Sequence, residues 1–174
     1  MARVTIERLE RLDQETLEKL IGIYMRGYEG MREYGGEGVG YAKRYLRWCW
    51  EKAKDGFFIA KVGDEIAGFI VCDDDWYSKY EGRTVGGAIH EFVVDRRFQG
   101  HGIGHRLMEK CLEYLKKHND RIELWVGGEK NENAMKFYEE YGFRRVGQSG
   151  IWVRMVKDVR KEDTGGPEKM KEVV

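Results

Sequence analysis

The sequence predicts an α/β protein, and three stretches predict it. Ala88 to Val94 is apolar and β-branched apart from His90 and Glu91, the composition of a buried strand. From Ile103 the period changes. Ile103, Leu107, Cys111 and Leu115 recur every fourth residue, with Met108 and Leu112 beside them, which makes one apolar helix face. Arg121 to Val126 repeats the strand signal. Ala134, Phe137, Tyr138 and Tyr141 then repeat the helical one, and Gly142 is a natural stop.

The other elements follow in order. Val4 to Arg8 reads as a short first strand. Asp13 is placed to cap a helix running to about Tyr28, with Leu17, Leu20, Ile21 and Tyr24 inward. Residues 27 to 40 hold six glycines, which predicts a mobile loop and not a packed element. A second helix, about Tyr41 to Lys54, carries Tyr45, Trp48, Cys49 and Lys52 around an aromatic face. Phe57 to Val62 and Glu65 to Cys72 form a hairpin across Gly63-Asp64. Asp73-Asp74-Asp75-Trp76-Tyr77 opens a polar loop that ends at Gly86-Gly87, and its acidic start reads as a solvated turn. After the strands and helices already named, Arg144 to Gly147 and Ile151 to Val156 make a terminal hairpin. Residues 1–157 read as one domain. Residues 158–174 are charged, hold the only proline, Pro167, and read as a frayed tail or an interface segment.

Composition narrows the function. A chain of 174 residues can bury a substantial core in a single domain. Lysine plus arginine equals aspartate plus glutamate, 31 each, so no basic excess points to nucleic acid. Cys49, Cys72 and Cys111 form no motif, and their odd number argues against a disulfide framework. The start, Met-Ala-Arg-Val-Thr-Ile-Glu-Arg-Leu, is too charged for a signal peptide, and no apolar run reaches membrane-spanning length. A cytoplasmic protein without membrane or nucleic-acid partners is expected. Charged residues at 36% with only three glutamines and three asparagines suggest a heat-adapted source.

Between the strand ending at Val94 and the helix beginning at Ile103 lie Gly100, Gly102 and Gly104. Glycine permits positive φ and close approach of a ligand to the backbone, and the following helix adds a partial positive charge at its N-terminus. Strand, glycine turn and helix together form a pyrophosphate cradle. A Rossmann turn would need glycine where His105 stands, and a P-loop would need Gly-Lys-Ser/Thr. What fits is Gln/Arg-x-x-Gly-x-Gly, in two frames: Arg97-x-x-Gly100-x-Gly102 and Gln99-x-x-Gly102-x-Gly104. Downstream stands Asn131-Glu-Asn-Ala-Met-Lys-Phe-Tyr-Glu-Glu-Tyr-Gly-Phe143. The two stretches, in this order, resemble the acyl-CoA loop and the Asn-x-x-Ala-x-x-Phe-Tyr-x-x-x-Gly-Phe stretch of the GNAT superfamily of acyl-CoA-dependent N-acetyltransferases. The resemblance covers roughly residues 57 to 157 and departs at Arg96, where members often have proline. It implies a central mixed sheet of about six to seven strands, helices on both faces, and a splay between strands four and five that admits the cofactor.

The resemblance also implies roles. Acetyl-CoA is the expected cofactor. The backbone of Phe92, Val93 and Val94 would hold the thioester arm, and that of Gln99, Gly100, His101, Gly102, Ile103, Gly104 and His105 the pyrophosphate. Asn131 would bond the pantetheine arm or else cap its helix. Tyr138 would protonate the departing sulfur, its alternative being a core aromatic. Amine acylation needs a neutral amine, so a base near the acceptor is useful. Glu91 and His90 are the only titratable groups in the flanking strand. Alternation allows ordinarily one of them to face the site, although a β-bulge would change that parity. Glu91 is preferred, with His90 as the alternative. The acceptor is expected to be a small-molecule or peptide amine. Asp73 to Tyr80 would suit a cationic one if that stretch lines the site. A homodimer stays open. A non-catalytic acyl-CoA sensor or partner-binding module is the competing reading, and retention of both Glu91 and Tyr138 favours the enzyme.

Overall fold

The computed structural model describes residues 3–116, 120–128 and 130–159. In chain order the elements are β1 (Val4–Arg8), α1 (Gln14–Gly27), α2 (Arg32–Gly35), α3 (Gly38–Ala53), β2 (Phe57–Val62), β3 (Glu65–Asp73), β4 (Tyr77–Ser78), β5 (Arg83–Thr84), β6 (Gly86–Val94), α4 (Ile103–Leu115), β7 (Arg121–Gly127), α5 (Glu132–Glu140), β8 (Arg144–Ser149) and β9 (Trp152–Asp158). Seven strands form one mixed sheet in the order β1-β2-β3-β6-β7-β9-β8, with β6 and β7 parallel, and β4 pairs with β5 in a separate ribbon. The expected α/β fold, a mixed sheet flanked by helices, is the one observed. The segment 160–174, most of the expected tail, lies outside the described residues.

The chain divides into two compact units. The first comprises the residues up to Asp73 together with Ile89–Leu112, and the second Asp74–Ala88 with the residues from Glu113 onward. In the first unit, α1 and α3 cover one face of β2 and β3. Leu17, Leu20 and Tyr24 of α1 and Leu46 and Cys49 of α3 meet Phe57, Ile59, Phe69 and Val71 there. Burial of each large apolar side chain of this kind contributes roughly 1.5–3 kcal/mol. Gly68 points to the other face, where a Cβ would lie 3.4 Å from Leu107 of α4. Odd and even residues of β3 thus serve different helices, as strand alternation requires. Asp13 caps α1 by accepting from the Thr16 amide at 2.9 Å.

Two expectations need correction. Residues 27 to 40 are not a free loop. They contain α2 and the first turn of α3, Tyr34 is buried, and Tyr24 Oη donates to the Gly35 carbonyl at 2.7 Å. The glycines make this packing feasible, because a Cβ at Gly35 would stand 2.5 Å from the Tyr28 ring and one at Gly36 2.4 Å from the Tyr41 ring. Asp73 is not part of a solvated turn either. It ends β3 and is buried, while Asp74 and Asp75 are exposed as expected.

In the second unit β7 pairs with β9 and β9 with β8, both antiparallel. Glu123 of β7 is buried and accepts from Trp76 Nε1 at 3.1 Å and from Arg154 Nε at 2.6 Å. Glu81 binds both Arg121 and Arg154. These bonds fasten the segment that follows Asp73 to the paired strands β7 and β9. Tyr77 and Tyr80 of that segment remain exposed.

Candidate active site

The first unit holds a carboxylate in an aromatic setting. Glu91 of β6 is only 7% exposed. Its Oε2 accepts from Tyr28 Oη at 2.7 Å and from the Phe92 amide at 3.1 Å. Tyr28 follows α1 directly, and its ring lies 4.8 Å from that of Tyr24. Tyr45 of α3 donates to the carbonyl of His90 at 2.6 Å. Burial pushes the Glu91 carboxyl up from 4.5 to about 7, against the pull of the Tyr28 and Phe92 hydrogen bonds. A group poised there exchanges protons near neutrality.

The neighbouring His90 meets the same helical layer. Its Nε2 lies 2.7 Å from Asp73 Oδ2, and Lys52 Nζ of α3 lies 2.8 Å from the same oxygen. Trp48 of α3 meets the imidazole edge-on at 4.9 Å. Consecutive residues of a regular strand face opposite ways, yet Glu91 reaches the end of α1 and His90 reaches α3. Both titratable groups therefore meet the α1–α3 layer of this unit.

The glycine turn belongs to this unit too. Gly100 and Gly102 take φ of 87° and 74°, the glycines of the frame that Arg97 begins, whereas Gly104 already lies in α4. Among the described residues nothing lies within 4 Å of where a Cβ would stand at Gly100 or Gly102. Gln99, His101 and His105 are exposed, and Ile103 is buried as the first residue of α4. The turn is anchored at Asp95, which is fully buried. It accepts from Arg26 at 2.8 Å and Arg97 at 2.9 Å, and also from the Arg97 amide at 3.1 Å. Burial alone would raise the Asp95 pKa, but these hydrogen bonds prevail and hold the carboxyl well below the usual range. Phe92 and Val94 are half-buried. Val93 is buried against the end of α1, where a Cβ at Gly27 would meet its Cγ1 at 2.6 Å.

In the second unit Tyr138 lies on α5, 9% exposed, with its ring 5.9 Å from Phe143. Asn131 occupies the N-cap position of α5, but its side chain makes no capping hydrogen bond. Among the described residues no group of histidine, cysteine and carboxylate side chains is arranged to hold a metal ion, and no helix is long and apolar enough to cross a membrane.

These elements agree with what the chain is similar to. The model of the acetyltransferase (GNAT) family matches residues 17–143. The chain belongs to the GNAT family. An uncharacterized N-acetyltransferase of Archaeoglobus fulgidus is 37% identical over 82% of this GNAT chain and 96% of its own length. Another, of Methanocaldococcus jannaschii, is 38% identical over 87% of this chain, which spans only 66% of that relative. Human N-alpha-acetyltransferase 30 is 35% identical over 60% of this chain and 27% of its own. Among solved structures, a protein of Pyrococcus horikoshii OT3 superposes with a TM-score of 0.84 at 63% identity, over 91% of this chain and 99% of the other.

The partners of the titratable groups in this GNAT chain are remote in sequence. Tyr28 stands 63 residues from Glu91 in sequence and carries no local signal. Lys52 and Asp73 converge on His90 from two other elements. Asp95 could have been noticed as an aspartate directly after a buried strand, but its tie to Arg26 spans 69 residues.

Proposed function

We propose that this GNAT protein moves an acetyl group from acetyl-CoA to a primary amine by direct attack, and that the acceptor is an α-amino group at the start of a polypeptide. The observation that carries the reading is Glu91, buried beneath Tyr28 with its carboxyl raised to about 7. An α-ammonium of pKa ~7.7–8.0 gives its proton to such a group at a cost of about 1 kcal/mol. A lysine-type ammonium of ~10.4 would cost about 4–5 kcal/mol. The name of the N-alpha-acetyltransferase 30 relatives points the same way.

The open backbone at Gly100 and Gly102, followed at once by α4, suits a pyrophosphate, because the leading amides of a helix lack acceptors within it. The fold is shared with the PaiA N-acetyltransferase of Thermoplasma acidophilum, which was solved in complex with coenzyme A. The bound donor supplies an acyl group activated as a thioester. In this reading the backbone of Phe92, Val93 and Val94 aligns the thioester arm. Residues Gln99, Gly100, His101, Gly102, Ile103, Gly104 and His105 hold the phosphates, and Asn131 bonds the pantetheine. Glu91 takes the ammonium proton, directly or through one water, and the freed amine nitrogen attacks. Tyr138 gives its phenolic proton to the sulfur as the carbon–sulfur bond breaks and regains one from solvent. His90, tied to Asp73, is the second candidate base.

Thiol release from acetyl-CoA should be followed with peptides bearing a free α-amine, with the same peptides blocked at that amine but carrying lysine, and with polyamines. Turnover only with free α-amines supports the reading. Equal turnover with the blocked lysine peptides overturns the choice of acceptor. Coenzyme A binding without transfer to any amine would favour an acyl-CoA sensor.

A further inference from the structure

The outward stripe of α3 has a composition that the chemistry at Glu91 does not use. Tyr41, Tyr45 and Trp48 recur at helical spacing on one side of α3. Their rings form a ladder. Tyr41 and Tyr45 stack at 6.1 Å and 23°, and Tyr45 and Trp48 at 6.1 Å and 13°. Its two ends are open, Tyr41 being 40% and Trp48 43% exposed. An isolated exposed aromatic needs no explanation, but here two exposed rings are joined through the half-buried Tyr45 into one stacked series.

Arg44 flanks the ladder at helical spacing, and Arg47 stands one turn further on, beside Arg44. Arg44 and Arg47 are exposed and lie between Tyr41 and Trp48 in sequence. Many arginines elsewhere are committed: Arg8, Arg83, Arg97, Arg121, Arg145 and Arg154 each hold a carboxylate, although among the described residues Arg106 bonds only the Val4 carbonyl. Neither Arg44 nor Arg47 has a carboxylate partner among the described residues. Along α3, Lys43, Arg44, Arg47 and Lys52 face the single acid Glu51. Lys52 is already held by Asp73, so the local positive excess of the helix rests on Lys43, Arg44 and Arg47. Tryptophan, tyrosine and unpaired arginine together are the side chains that dominate protein-recognition surfaces.

The ladder is continuous with the proposed base. Trp48 touches His90, Tyr45 bonds the His90 carbonyl, and Glu91 is the next residue. From Tyr41 to Trp48 the helix rises about 10 Å, the length of roughly three residues of extended chain. We infer that this stripe is a docking track for the acceptor polypeptide itself, one with an apolar first side chain followed within about three residues by carboxylates. The apolar side chain lies on the ladder, and the carboxylates meet Arg44 and Arg47. The inference rests on the acceptor being a polypeptide amine, and it adds the sequence class that the protein selects.

The test measures acetylation and binding separately. Three peptides share an apolar first residue and carry two glutamates, two glutamines or two lysines at positions three and four. In the presence of coenzyme A, fluorescence anisotropy of C-terminally labelled peptides should rank glutamate above glutamine above lysine. About tenfold should separate the extremes at low salt, shrinking at 0.5 M salt as the charges are screened. The variant R44E/R47E should invert the ranking, and Trp48→Ala should weaken binding of all three without changing their order. Equal affinities for the three peptides, or a ranking that survives the charge reversal, would overturn the track. So would preference for a single-stranded oligonucleotide over the glutamate peptide, since bases also stack on such rings. Ranked binding with no acetylation of any peptide leaves the track standing and sinks the enzymatic reading. Acetylation with no ranking does the opposite.

Discussion

Replacing Glu91 with glutamine should make the protein more stable and less active at the same time, and the two effects should have different pH dependences. The folded carboxyl stands at about 7 and the unfolded one near 4.5, so between these values the folded state binds more protons. Stability therefore falls as pH rises through that window and stays low above it. At ~1.4 kcal/mol per pH unit, the wild type loses about 3 kcal/mol that a neutral amide does not lose. The amide oxygen can accept from Tyr28 and the Phe92 N–H as Oε2 does, and the tyrosine hydroxyls nearby can take its N–H. Little is thus left unsatisfied. Thermal unfolding followed by circular dichroism from pH 4.5 to 9 should show the variant drawing ahead between about pH 4.5 and 7 and holding a constant lead above that, by roughly 6–12 °C in Tm. Turnover of an α-amine peptide at pH 7 should fall and recover within about one pH unit as solvent supplies the neutral amine. A stability difference that stays flat across this range would refute the reasoning, because Glu91 would then not titrate within it.

Three further outcomes are expected. Tyr138→Phe should lower turnover by roughly 10²- to 10⁴-fold with coenzyme A affinity preserved by calorimetry, as only the proton donor is lost; unchanged turnover would make Tyr138 a core aromatic. Gly102→Val should abolish coenzyme A binding in a protein that still folds. The side chain enters open space and costs about 1–2 kcal/mol for its positive φ, so calorimetry with the wild-type affinity would remove the cradle. Asp95→Ala should destabilise by about 1–3 kcal/mol, since the half-exposed Arg26 and Arg97 lose their buried acceptor. The Asp95 carboxyl is depressed in the fold, so its contribution is present above about pH 3.8 and lost as pH falls further. Urea titrations should accordingly show the gap between wild type and variant closing on acidification.

The α/β fold was legible because its signals are local. The four-residue period from Ile103 to Leu115 and the glycine stop at Gly142 depend on residues within one or two turns of each other. The same holds for the Asp13 cap and the hairpin across Gly63. The glycine turn was legible for a related reason, as the positive φ at Gly100 and Gly102 is a demand that few residues other than glycine meet. The segment from 27 to 40 misled because glycine has two uses. Its density there suggested freedom, whereas Gly35 and Gly36 serve close packing against tyrosine rings, which no local pattern announces.

By itself the sequence determined which elements form, where the backbone must turn sharply, and that Glu91 and His90 are the polar pair in a buried strand. It could not decide what those two groups touch. Tyr28, Asp73 and Lys52 come from three other parts of the chain, and that both His90 and Glu91 reach the helical layer is decided only by the fold. The proton affinity of Glu91 is a property of that assembly. Desolvation by surrounding helices raises it and hydrogen bonds across 63 residues oppose the rise, so it exists only once the tertiary structure has closed around the carboxyl.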